Sequence, residues 1–390
     1  MKRKMLTRAL SVLTAAAMLT CVWGCGGEDG TENAGKGSSA ASVNVEPIAA
    51  PVQEEPGEEP AQEPEAEEEI PTIPDDMYAS ELTGLPISRE LAMQRPIAVM
   101  VDNEVTALPH FGTSDGDIVY EMVNSTKNNR ITRLMVLLKD WESIEQMGSI
   151  RSTRPTNIML AAEYNAVLCH DGGPVVHITP YFNKGFVDHF SGTFSRVNNG
   201  KSREYTEYIL PGDLDKNFGD SVSRDYKDGF SPDTPHFNFV EYGTKTDLAS
   251  LYERTYPTKQ IILPFPHNSS LLLFNDDTRE YEYYEYGNQY FDEINGEPLS
   301  FTNVVLQKSS FTKLDDEGYL VYNVLGTGDG FYITDGLAKS ISWVKNGDQD
   351  FTRFYDDNGQ EIAFNRGKTY IAIVPDDTWD KVQMNAEIYQ

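Results

Sequence analysis

The chain has 390 residues, with 61 acidic against 32 basic side chains and a formal net charge of −29. So acidic a body is a poor partner for nucleic acid or for anionic lipid through a general field. Beyond the N-terminus, no stretch has the roughly 20 apolar residues needed to span a bilayer.

Residues 1–24 read as a secretory signal. Lys2, Arg3, Lys4 and Arg8 carry four positive charges with no acid among them, and the short, mostly apolar or small run from Ala9 to Thr20 follows. Val22-Trp23-Gly24-Cys25 then sets a small residue directly before a cysteine and an aliphatic residue at minus three. That is the pattern of a bacterial lipobox, whose thiol is acylated before cleavage in front of it. Thr20 before Cys21 is a poorer fit, so Cys25 is the expected lipidation site. Each buried methylene contributes about 0.8 kcal/mol, so two or three acyl chains hold a protein on a membrane durably. The expected location is the outer face of the cell membrane, anchored by lipid alone.

Residues 25–78 form an expected disordered tether rich in Gly, Ser, Ala, Pro and Glu. Residues 26–76 hold 15 acids and one lysine, a net charge of −14. Low hydropathy and one-sided charge cannot offset the entropy of ordering. A flexible chain of this length spans about 40 Å.

The remainder is too long for one ordinary core, and the predicted class is α+β: a layered α/β domain over 79–240, then a β-rich domain over 251–382. In the first, Pro96–Val101, Asp117–Val123, Arg133–Leu138 and Val167–His170 are apolar enough for buried strands, and Thr156–Tyr164 follows Pro155 as a helix. In the second, Ile261–Leu263, Leu271–Phe274, Val304–Leu306, Leu320–Tyr322 and Tyr370–Val374 are short strand candidates. Asn275-Asp276-Asp277, Asn295-Gly296, Asn346-Gly347 and Asn358-Gly359 separate them as turns. Glu280–Tyr286 packs four tyrosines among acids, as a two-sided strand or a ligand platform.

With Cys21 removed alongside the signal, Cys169 has no disulfide partner beyond the acylated Cys25. Its apolar setting suggests a buried small hydrophobe; a thiol acting beside His170 is the alternative. His170, Asp171, His177, Asp188 and His189 lie close in sequence, yet their spacing matches no metal-ligand pattern, and no metal or cofactor is expected. Arginine is the stronger signal. Arg130 and Arg133 enter one strand, while Arg151-Ser152-Thr153-Arg154-Pro155 forms the turn before a helix. Guanidiniums, two hydroxyls and the free N–H groups of a helix start would make an anion cradle. Ion pairs with Asp102, Asp117, Glu121 or Glu163 are the structural alternative.

These segments carry a resemblance. Leu82-Thr83-Gly84-Leu85-Pro86, Arg95 to Asn103, Asp117 to Glu121, Ile131-Thr132-Arg133 and Ile150 to Pro155 occur in this order. Thr302 to Val305, Gly326-Thr327-Gly328, Asp335-Gly336, Ile341-Ser342-Trp343 and Gly367 to Ile371 follow. The set resembles the YerB-like lipoproteins, in which an N-terminal domain of unknown function precedes a dedicated C-terminal domain. The resemblance covers nearly all of residues 80–380 and implies a cell-envelope lipoprotein without a known activity. Where family members show Arg-x-x-x-Arg leading to Pro-His-Asn, this chain has Lys201 to Thr206 and no histidine. The paired arginines also look like those with which the LytR-CpsA-Psr phosphotransferases hold polyprenyl pyrophosphate. Those enzymes place an acid near the first arginine, where Thr132 stands here.

With no catalytic constellation in view, the sequence favours a binding or scaffold lipoprotein of the cell envelope over an enzyme. Its partner would be an envelope protein or an anionic envelope ligand. The alternative is an enzyme acting on a phosphorylated or anionic envelope substrate around the four arginines. Acylation at Cys25 predicts that Cys25→Ser abolishes palmitate labelling while Cys21→Ser leaves it intact; label surviving in Cys25→Ser would refute the assignment.

Overall fold

The computed structural model describes residues 71–385, residue 228 apart. The signal, Cys25 and most of the tether lie outside the described residues. The far end of the expected tether belongs to the fold. Met77–Ala79 pairs antiparallel with Pro86–Ser88, and Arg89 donates from Nε and Nη2 to the carbonyls of Asp75 and Met77. Met77 and Tyr78 bring apolar surface that the acidic run lacks, so the folded body begins before residue 79.

Ten strands and one side strand build the main sheet. In chain order they, and those of a second sheet, are β1 (Ile97–Val101), β2 (Ile118–Val123), β3 (Thr132–Leu138), β4 (Val167–His170), β5 (His189–Ser191), β6 (Tyr256–Pro257), β7 (Gln260–Ile262), β8 (Leu271–Asn275), β9 (Glu280–Glu285), β10 (Asn288–Gln289), β11 (Asn303–Ser309), β12 (Gly326–Thr334), β13 (Leu337–Lys345), β14 (Arg353–Tyr355), β15 (Thr369–Pro375) and β16 (Gln383–Asn385). The main sheet runs β6-β13-β12-β11-β15-β2-β3-β1-β4-β5, with β14 paired to β13. The second runs β10-β9-β8-β7-β16, with Ser300–Phe301 paired to β9.

The architecture is α+β, with an α/β N-terminal part and a β-rich C-terminal part. The boundary expected between 240 and 251 marks a change of element type, and the two parts share a core. β15 lies between β11 and β2, parallel to both, and so closes one sheet from strands of both parts. The central strands β1, β2, β3 and β15 are buried along their whole length, as apolar runs covered on both faces must be.

Successive side chains of β2 show what covers each face. Tyr120 points to the helical layer, where its hydroxyl meets Tyr164 Oη at 2.7 Å and Glu163 at 3.2 Å, just beyond α1 (Pro155–Ala162). Glu121 points to the second sheet. Its Oε1 accepts from Ser270 Oγ at 2.7 Å and Asn268 Nδ2 at 2.8 Å, with Asn103 Nδ2 farther at 3.3 Å. Its Oε2 accepts from the hydroxyls of Tyr283 at 3.0 Å and Tyr370 at 2.5 Å. Burial raises the Glu121 carboxyl pKa against the pull of these donors. A second tie joins the parts on the helical side, where the Glu163 carboxylate accepts from Lys345 Nζ, Thr352 N and Thr352 Oγ1.

Within Glu280–Tyr286, Glu280–Glu285 forms β9 with strictly alternating burial, Tyr281, Tyr283 and Glu285 turned inward, and Tyr286 follows in a turn at φ 50°. The longest elements that went unread in the sequence are a helix and a hairpin. Helix α2 (Val175–Phe182) carries two adjacent valines and an internal Pro180, which hide a helical pattern. The long β12–β13 hairpin turns on Asp335 and Gly336, both left-handed at φ 51° and 78°, the geometry that Asp-Gly satisfies.

Removing the Glu121 carboxylate strands several buried donors at once. Glu121→Ala should cost about 3 kcal/mol or more in urea denaturation, against about 1 kcal/mol for Tyr283→Phe. Equal losses for the two variants would show that the carboxylate is not the hub.

Candidate functional site

Strands β1, β4 and β5 are mutually parallel and antiparallel to β3. The C-terminal ends of the first three and the start of the last therefore meet at one edge of the sheet. Ligand sites of α/β sheets gather at such strand ends. Asp102 follows the last residue of β1, Arg133 is the second residue of β3, and Asp171 follows β4. The segment Arg151–Arg154 is stitched across this edge. Arg151 N donates to Met100 O, Asp171 N to Arg151 O, and Thr153 N to Gly172 O.

Two of the four arginines, Arg133 and Arg151, converge here on Asp102. Its Oδ1 accepts from Arg133 Nη1 at 2.9 Å, and its Oδ2 lies 2.8 Å from Arg151 Nε. Arg151 also pairs with Glu204 at the rim and lies over the Tyr205 ring. The Tyr205 hydroxyl in turn donates to Glu104.

Arg154 differs from both. It is 6% exposed, stacks on Tyr319 with its guanidinium carbon 4.3 Å from the ring centroid, and donates from Nη1 to Thr153 O at 2.7 Å. No carboxylate pairs with it among the described residues, and its buried Nε has no partner. Burial, then the neighbouring Arg133, lowers the Arg154 pKa from that of a free guanidinium. An arginine still keeps its proton at neutral pH. The inner set is thus one buried carboxylate held by two guanidiniums, with a third, unpaired guanidinium near Arg133.

The other sequence candidates serve elsewhere. Arg130 closes a left-handed turn with Asn128 and Asn129, at φ 63°, 50° and 55°, and forks onto both oxygens of Asp377 at 2.8 and 2.9 Å. The Ser152 hydroxyl donates to Asp171 O and the Thr153 hydroxyl faces Arg154 O, so backbone carbonyls occupy both. Neither hydroxyl joins the three guanidiniums.

Family models described as "Protein of unknown function (DUF3048) N-terminal domain" and "C-terminal domain" match residues 82–226 and 261–371. The chain belongs to the DUF3048 family. "Putative lipoprotein YerB" of Bacillus subtilis (strain 168) is 25% identical to this DUF3048 chain over 311 residues, 76% of this chain and 86% of that protein. The crystal structure of YerB from Bacillus subtilis matches with a TM-score of 0.65 at 20% identity, over 78% of this chain and 99% of that one. At that identity the likeness establishes the fold.

Beside the arginines, this DUF3048 chain sets a histidine pair on neighbouring strands. His170 Nδ1 donates to Gly172 O at 2.7 Å, which leaves its Nε2 to accept from His189 Nδ1 at 3.0 Å. Phe182 stacks on His189 with ring centroids 3.7 Å apart. Burial lowers His170 to about 4 and lowers His189 too, so both are neutral rings. His177 pairs with Asp315, and Asp188 with Arg95 and Lys227, so the candidate metal ligands of the sequence are divided among separate partners. Cys169 is buried, its thiol bonded toward Val167 O and its pKa pushed up by burial.

Sequence reading missed the aromatic members. Tyr205 and Tyr319 come from distant segments, and nothing local marks them. Asp102 was visible as a charge ending an apolar strand, though only as one of four possible counter-ions.

The asymmetry of the site sets a stability test. Asp102→Ala strands buried Arg133 and should cost about 3–5 kcal/mol, whereas Arg154→Met removes a buried charge that no acid needs and should be neutral or stabilising. A large loss in Arg154→Met would mark that arginine as a structural ion pair.

Proposed function

We propose that this chain is an extracytoplasmic lipoprotein, held to the outer face of the cell membrane through Cys25, that binds a phosphorylated or otherwise anionic envelope ligand at Arg133, Arg151 and Arg154. The lipobox around Cys25 and the lipoprotein description of the Bacillus relative support the anchor. Among the described residues, no helix is long and apolar enough to cross a membrane.

Arg154 carries the ligand reading. A charge buried without an opposite charge is costly, and an anion entering beside it removes that cost. Arg133 and Arg151 add donors in the fork geometry suited to phosphate. Binding is favoured over turnover because both oxygens of Asp102 already face guanidiniums, which leaves that carboxylate no role as a base. The histidine pair, neutral and stacked, lies on the two neighbouring strands, His170 ending β4 and His189 opening β5. A scaffold role in the envelope follows if the ligand is part of a larger assembly.

Inorganic phosphate and pyrophosphate should raise the melting temperature by mass action on the folded state. The increment should shrink with added salt and vanish in Arg154→Met, while chloride at equal ionic strength gives none. No phosphate-dependent shift in the wild type would refute the reading.

A further inference from the structure

A second concave site lies on the β-rich part. A cavity of about 360 Å³ opens between the loop after β1 and the β9–β10 hairpin, walled by Pro109, Tyr286, Tyr290 and Phe291 and floored by His110 and Glu285. That is the lower end of the about 300–1,000 Å³ range of small-molecule sites, room for one ring-sized ligand. His110 and Glu285 are nearly inaccessible, and His110 Nε2 lies 3.1 Å from Glu285 Oε1. His110 Nδ1 and Glu285 Oε2 are buried and have no partner within the protein. Such orphaned groups are rare, because each costs the desolvation of an unmade hydrogen bond.

The floor is held rigidly. Asp292 accepts from Gly112 N and Ser114 N at 3.0 and 2.9 Å, just past His110, and Glu293 N donates to His110 O. The Tyr290 ring stacks on the imidazole at 4.9 Å. Tyr286 donates its hydroxyl to Asn103 O, which ties one wall to the loop after β1. Phe291 stands at the rim, 52% exposed, an aromatic face that this fold does not cover.

We propose that this cavity binds a neutral saccharide ring. Aromatic faces are electron-rich and attract the polarised C–H face of a sugar, while the orphaned floor atoms need hydroxyl partners. A hydroxyl donates and accepts, so it satisfies Glu285 Oε2 and also His110 Nδ1 whichever ring nitrogen carries the proton. An anion would meet the Glu285 carboxylate. An ammonium group only donates, and fails His110 whenever Nδ1 is protonated. This site is separate from the arginine edge, and the proposal does not depend on the anion reading.

Saturation-transfer NMR on the mature chain, with glucose and N-acetylglucosamine as probes and butylammonium as the rival, tests it. At least one sugar should receive saturation, and Phe291→Ala should weaken it about tenfold. Glu285→Gln should weaken it too, and if that buried variant fails to fold, the rim variant Phe291→Ala alone decides. Phosphate-dependent stabilisation should be unchanged in Phe291→Ala, which keeps the two sites distinguishable. No transfer to either sugar, transfer unaffected by Phe291→Ala, or tighter binding of butylammonium would overturn the proposal.

Discussion

A carboxylate in the middle of an apolar sheet must be surrounded by donors, and Glu121 obtains them from both parts of the chain. Asn103 comes from the N-terminal part; Asn268, Ser270, Tyr283 and Tyr370 come from the C-terminal part. Without the second group the anion would be stranded beside Asn103. Without Glu121 the two tyrosine hydroxyls, the serine and the amide would face an apolar interior. The penalty for separating them is steep because burial removes water as the substitute partner. Glu163 repeats the arrangement on the opposite face with Lys345 and Thr352. Polar clasps on both sides of one strand thus fix how the two parts register, where apolar packing alone would tolerate sliding.

The cationic edge stands in contrast to the rest of the molecule. In a protein with a net charge of −29, two guanidiniums converge on a single buried carboxylate and a third, Arg154, is buried nearby with no carboxylate of its own among the described residues. The surrounding acidity repels anions at long range, and salt screens that repulsion over about 10 Å at 0.1 M. A ligand drawn to this edge therefore needs close, directional contact with the fork groups. Such an arrangement favours selectivity over fast capture.

Much of the fold could be read in the sequence where burial was uniform. The runs Ile97–Val101, Ile118–Val123 and Val167–His170 are mostly apolar and stood out as strands, with Glu121 the one acid among them. Their partners could not be inferred. Nothing near Thr369–Pro375 says that it pairs with a strand from the other part, since a parallel pairing leaves no turn as a local mark. The arginines could be read as a group because they are rare in an acidic context. What divided them could not be: Arg130 leaves the set through a left-handed turn, and Asp102 binds two of the others through spatial proximity alone. The same holds for Tyr319 under Arg154, which reaches it from a hairpin far along the chain.

The position of β15 has a consequence for how the protein acquires its shape. Its register with β2 joins Ile118 to Thr369, a contact about 250 residues apart, among the most non-local a chain of this size can make. Until that segment arrives, β2 and β11 each present an open edge of unpaired backbone groups. A shortened chain ending before residue 369 would keep both edges exposed and lose the Tyr370 donor to Glu121. Completion of the sheet is thus a late checkpoint, and an incomplete copy is left as a sticky, protease-accessible species instead of a functional half.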